Sequence, residues 1–394
     1  MRQDIAVENP KKSNRILALD LIRGYFLSVI LVDHIELYPN GLDFFTGKGR
    51  LFVSAAEGFF FMSGLLVGLV YKRRMDRGMK FIFKKMWRRG LELYVGAVFF
   101  TMFYTAAALF FNHPSIKDGI YSVTDWGQIF KHTLTGQYVY GWADFLIHFA
   151  FLMFLAPFGF YLLAKGKWWI LMALSIIGWI FRGQDFTLAW QIIFSLGMIV
   201  GFYWQELGAW WAKLARKNKK RIVMFIVVVT ALSFTLSYAS VFLLSLLNHL
   251  WAHLPHSLQA FTGHWNNFNA WIWQFTQKWT MGPLRIILFG FWFSTLFMWV
   301  RRHQLNINKR TYYILELLGA NSLFVYIAHS FIVFGFKLAI PTHTNFVENF
   351  FITAAALALL IYVTIVYKRL TAPNQLPIVF QKPSKFFAKY RAAE

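Results

Sequence analysis

IVMFIVVVTALSFTLSYASVFLLSLL, residues 222–247, runs for 26 residues without a charged side chain. An α-helix rises about 1.5 Å per residue and a bilayer core is about 30 Å thick, so about 20 apolar residues cross it. Lipid offers backbone N–H and C=O groups no partner, so a run of this kind folds as a helix. We read it as a membrane span.

The rest of the chain is built on the same plan. Of its 394 residues, 58% are hydrophobic and only 14% charged, against roughly 25% charged in an ordinary soluble domain. With 45 Phe, 17 Trp and a mean hydropathy of +0.47, the composition excludes a soluble enzyme and a disordered chain. The absence of cysteine excludes a disulfide scaffold, thiolate metal sites and a thioester-forming nucleophile. Further apolar stretches lie at 16–37, 54–71, 90–111, 143–164, 168–182, 186–204, 284–300, 313–334 and 349–367. The expectation is an all-α, polytopic membrane bundle of about ten transmembrane helices.

The net charge of +23 would suggest nucleic acid in a soluble protein. Here its distribution gives another reading. With residues 1–15 placed in the cytoplasm, the inward segments hold 31 Lys and Arg and the outward ones 8. Basic residues accumulate on the cytoplasmic side, so both termini are expected there, in a multi-pass protein of the cytoplasmic (inner) membrane, with no nucleic-acid partner. Residues 1–15 are polar and basic and do not read as a cleaved signal peptide. We expect a single integral-membrane domain over 1–371, followed by a basic cytoplasmic tail, 372–394.

Two outward segments are long, 112–142 and 248–283. The second carries His249, His253, His256 and His264 among five Trp. His249 and His253, four apart, have the spacing of a zinc-ligand pair, but 248–283 holds no carboxylate. A Trp-anchored interfacial segment is the other reading, and no metal is expected.

Ionisable groups within a span are costly and mark functional candidates. The first span reads Asp20-Leu21-Ile22-Arg23 and ends Val32-Asp33-His34. Asp20 and Arg23, three apart, can pair on one face. Arg23 and His34 are eleven apart, within about 20° of three full turns, so they share a face and are separated by about 16 Å along the axis. The second span opens Ser54-Ala55-Ala56-Glu57 and continues Phe59-Phe60-Phe61-Met62-Ser63-Gly64. Ser63-Gly64 reads equally as a packing notch. The ninth holds His329. The span directions put His34, Glu57 and His329 at similar depth in the outer half, where Glu57 is expected to face one of the imidazoles. A neutral imidazole oriented by a carboxylate can take a proton from a hydroxyl, or accept an acyl group itself. His34, Asp33, Glu57 and His329 are therefore the candidate catalytic residues.

Residues 72–89, from Lys72-Arg73-Arg74 to Arg88-Arg89, gather nine cations. They read as a cradle for the phosphates of coenzyme A or as a topology-fixing loop that binds anionic lipid. Asp20, Arg23, Ser63, Arg73 and Arg74 are the candidate donor-binding or structural residues.

"LDLIRGYFLSVILVDH" followed by "SAAEGFFFMSGLLVGLVY" resembles the N-terminal signature of the OpgC family, within the acyltransferase-3-like superfamily of membrane O-acyltransferases. The Arg23/His34 spacing, the Phe-Phe-x-x-Ser-Gly segment and the late Gly319, Ser322, Tyr326 and His329 carry the resemblance. It implies ten spans, cytoplasmic termini and transfer of a succinyl group to periplasmic glucan. On that reading acyl-CoA is a co-substrate, no cofactor is permanently bound, and the partners are an extracytoplasmic carbohydrate acceptor and membrane lipids. The donor would pass from the 72–89 cations along Arg23 to His34. The alternative is a transporter or flippase for a glycan or lipid. It would favour paired repeats and broken helices, and no repeat is visible.

Overall fold

The computed structural model describes residues 16–111, 125–340 and 345–372. The segments 1–15 and 373–394, with most of the expected basic tail, and 112–124, in the first long outward segment, lie outside the described residues.

Among the described residues all regular structure is helical. α1 (Leu17–Ile35) is followed by α2 (Ala55–Lys72), α3 (Met79–Phe111), the short α4 (Trp126–Leu134) and α5 (Asp144–Ala164). Next come α6 (Trp168–Ile180), α7 (Phe186–Phe202), α8 (Trp204–Lys213), α9 (Arg216–His249) and α10 (His256–Thr276). The last of the described helices are α11 (Pro283–Arg310), α12 (Ile314–Ala320), α13 (Ser322–Ala339) and α14 (Phe346–Thr371). Among the described residues seven helices are long and apolar enough to cross a membrane by length and composition, eight if α7 and α8, bent by 66°, count as one span. This is a helical membrane protein.

All ten apolar stretches fold as helices, with shifted bounds. α3 and α9, at 33 and 34 residues, extend about 50 Å, longer than a bilayer core. The 72–89 "loop" is thus only the turn after Lys72 plus the first turns of α3. The expected span 313–334 breaks at Asn321, whose side chain bonds back to the Leu317 carbonyl at 2.7 Å. A separate helix, α13, then continues to Ala339. Segment 256–276 is a helix packed against α9, tied to it by the Asn248–Asn266 amide pair at 2.8 Å.

Two glycine contacts set the core. Gly64 and Gly68 of α2 lie against Gly197 and Gly201 of α7 so closely that a β-carbon on any of them would strike the other helix's backbone. Small residues four apart let membrane helices touch main chain to main chain. Gly24 of α1 meets the Leu315 carbonyl and Gly319 of α12 meets that of Asp20 in the same way. The three phenylalanines of α2 fan outward from this seam. Phe59 stacks on Tyr326, Phe60 packs among Phe145, Phe149 and Trp190, and Phe61 reaches Phe289 and Phe293.

Candidate active site

His34 ends α1 and His329 lies within α13, and the fold joins them: His34 Nδ1 and His329 Nε2 are 3.0 Å apart. The other nitrogen of His329, Nδ1, bonds the Tyr326 carbonyl. A carbonyl only accepts, so that Nδ1 carries the proton, and a neutral His329 offers Nε2 as acceptor. His34 must then donate through Nδ1, which leaves its Nε2 with a lone pair. His34 is partly exposed while His329 is buried, so of the two rings His34 is the one nearer to substrate. Tyr326 packs against His329 with ring centres 4.8 Å apart. Ser330, the next residue, bonds Tyr104 of α3 at 2.7 Å.

Arg23 lies on the same face of α1, three turns below. Its Nη1 donates to the Gly319 carbonyl at 3.4 Å and to Ser322 Oγ at 3.5 Å, bridging the break between α12 and α13. Asp20 stands one turn before it, beside Gly319 through its carbonyl.

Glu57 faces neither imidazole. It is fully buried, with one oxygen accepting from Ser54 N and Ser54 Oγ, both at 2.7 Å, and the other paired with Arg285 of α11. Arg285 in turn donates to the carbonyls of Leu51 and Thr276. A buried carboxylate needs a cation and hydrogen bonds to stay charged. Arg285 supplies the cation, and at 1% exposure it is itself buried. Asp33 also turns away from its neighbour His34. It accepts from the Tyr38 hydroxyl at 3.3 Å and bonds Thr46. Burial, and then the Asp33 carboxylate, push the Tyr38 phenol up, so it stays protonated as donor.

Ser63 Oγ bonds the Phe59 carbonyl of its own helix at 2.9 Å, so its hydroxyl is satisfied locally. Arg73 and Arg74 are exposed on the turn after α2, about 24 Å from Glu57 along that helix. They are not at the imidazole pair. Among the described residues no group of three or more His, Asp or Glu is arranged to hold a metal ion.

A profile of the family described as "OpgC protein" matches residues 15–372. The chain belongs to the OpgC family. No curated protein and no solved structure matches it. In this OpgC chain, sequence reading missed two contributors. In sequence Arg285 is one basic residue at the outward end of an apolar stretch, and nothing local ties it to Glu57. Lys278 comes near Asp33, the two flanking Gly49. It had no helical register to place it.

Proposed function

We propose that this OpgC protein is a membrane O-acyltransferase with His34 as general base. The observation that carries the reading is the Tyr326 carbonyl–His329–His34 chain, which leaves Nε2 of His34 as the open acceptor. OpgC membership supports a succinyl or acetyl donor on coenzyme A and an extracytoplasmic glycan, such as a periplasmic glucan, as acceptor.

In this mechanism Nε2 takes the proton of an acceptor hydroxyl as its oxygen attacks the thioester carbonyl. The tetrahedral intermediate collapses with cleavage of the C–S bond. The departing thiolate takes the proton from the imidazolium, which yields free coenzyme A and the ester. His329 holds the His34 ring by accepting from Nδ1 and stabilises the transient positive charge through its own bond to Tyr326. Arg23, on the same face, braces α13, and the pantetheine arm would pass it on the way to His34. The break at Asn321 also suits a transporter, but acyl transfer itself separates the two readings.

The test uses purified full-length protein in proteoliposomes with succinyl-CoA or acetyl-CoA and a linear glucan. Wild type should release coenzyme A and form ester-linked glucan, and His34→Ala should lose about 10²–10⁴ of that rate while remaining folded. No ester formation by wild type with either donor overturns the proposal.

A further inference from the structure

The turn 277–282, between α10 and α11, is held from several sides. The Trp179 indole of α6 donates to the Met281 carbonyl at 2.8 Å, Gly282 N bonds the Gln277 carbonyl at 2.9 Å, and Arg285 holds the Thr276 carbonyl at 3.0 Å. Met281 is fully buried with a left-handed backbone, φ +48°. A non-glycine residue in that region is sustained only where its surroundings over-determine it. Glu57, through Arg285, therefore acts on a turn rather than on an imidazole.

This turn presents Lys278 and Trp279. Around Gly49 the Lys278 ammonium and the Asp33 carboxylate come together. A β-carbon on that glycine would have Asp33 Oδ2 at 3.4 Å and Lys278 Nζ at 3.8 Å. Among the described residues Lys278 forms no ion pair within contact distance. Trp279 is 68% exposed. Its ring meets Phe186 edge-on at 6.1 Å, and Phe186 stacks on the buried Trp190 at 4.9 Å. An open indole thus stands on a rigid aromatic base, next to an ammonium that approaches the Asp33 carboxylate.

We infer that this turn is the acceptor's sugar subsite, with Trp279 as the platform for a hexose ring and Lys278 as a donor to its hydroxyls. A lipid tail would meet the Lys278 ammonium and the Asp33 carboxylate here, and an anion would meet Asp33. A polyhydroxylated ring satisfies all of them: its C–H face lies on the indole, and its hydroxyls both donate and accept. Interfacial anchoring accounts for an exposed Trp beside a Lys, but not for the approach of that Lys to Asp33 at Gly49. The inference rests on a carbohydrate acceptor, as proposed above.

The test measures binding of a β-linked glucose hexasaccharide to full-length protein in detergent by calorimetry, without acyl donor. Trp279→Ala should weaken binding about tenfold or more, while Trp279→Phe, which keeps an aromatic face, stays within about threefold. Trp271→Ala, which removes an exposed Trp on α10 away from the turn, should bind as wild type. Equal affinity of Trp279→Ala and wild type overturns the subsite and leaves the transferase reading standing. If wild type does not bind the hexasaccharide, the subsite falls together with glucan as acceptor. Acyl-CoA hydrolysis without acceptor then tests the transferase chemistry separately.

Discussion

A histidine that donates through Nδ1 to a second histidine has one atom left for chemistry. That follows for His34 from the Tyr326 carbonyl, which accepts from His329 and so dictates both tautomers. The expected consequence is specific to the acceptor atom on residue 329. His329→Ala should lower kcat about 10²-fold, whereas His329→Gln, whose amide oxygen can accept from His34 Nδ1, should recover about tenfold of that loss. Initial rates at saturating donor check it, and equal rates for the two variants would remove His329 from the relay. At this scale Arg23 and His34 were legible because one helix carries both, and periodicity alone puts them on one face. Glu57 was not: helix direction gave its level, but its facing partner stands 228 residues away.

Among the elements, the α2–α7 seam and the α2–α11 ion pair make opposite demands. The seam needs nothing at all on its glycines. Gly201→Leu should drive the Leu65 backbone away from α7 and sharply reduce the yield of folded protein, while Gly208→Ala, with open space around it, should not. Size-exclusion profiles in detergent distinguish them. The ion pair needs both members. Arg285→Met leaves Glu57 buried without its cation, which should cost about 3–5 kcal/mol. Adding Glu57→Gln should restore part of that, as thermal unfolding in detergent would show. Because Arg285 also holds the 277–282 turn, the single variant should raise the acceptor KM more than the donor KM. An unchanged acceptor KM would disconnect the pair from the turn.

Over the whole molecule, the helix directions place the imidazole pair and the 72–78 turn at opposite ends of the bundle. α2 alone separates Glu57 from that turn by about 24 Å. With no native cysteine, single substitutions report sidedness directly. Phe45→Cys, 77% exposed near the site end, and Arg74→Cys, on the basic turn, should react with a membrane-impermeant maleimide from opposite faces of sealed vesicles. Labelling of both from one face would contradict the proposed path from a cytoplasmic donor to an outer acceptor.

The sequence by itself determined that this is a helical membrane protein, where its long apolar runs lie, and which face of α1 carries Arg23 and His34. These are properties of local composition and of a 3.6-residue period. Only the tertiary structure decided that His34 meets His329, that Glu57 meets Arg285, and that Lys278 approaches Asp33 at Gly49. Each of those contacts depends on how far one helix slides and rotates against another. In this chain that register is set by backbone-to-backbone packing at Gly24, Gly64, Gly68, Gly197, Gly201 and Gly319, residues whose effect comes from the side chain they lack.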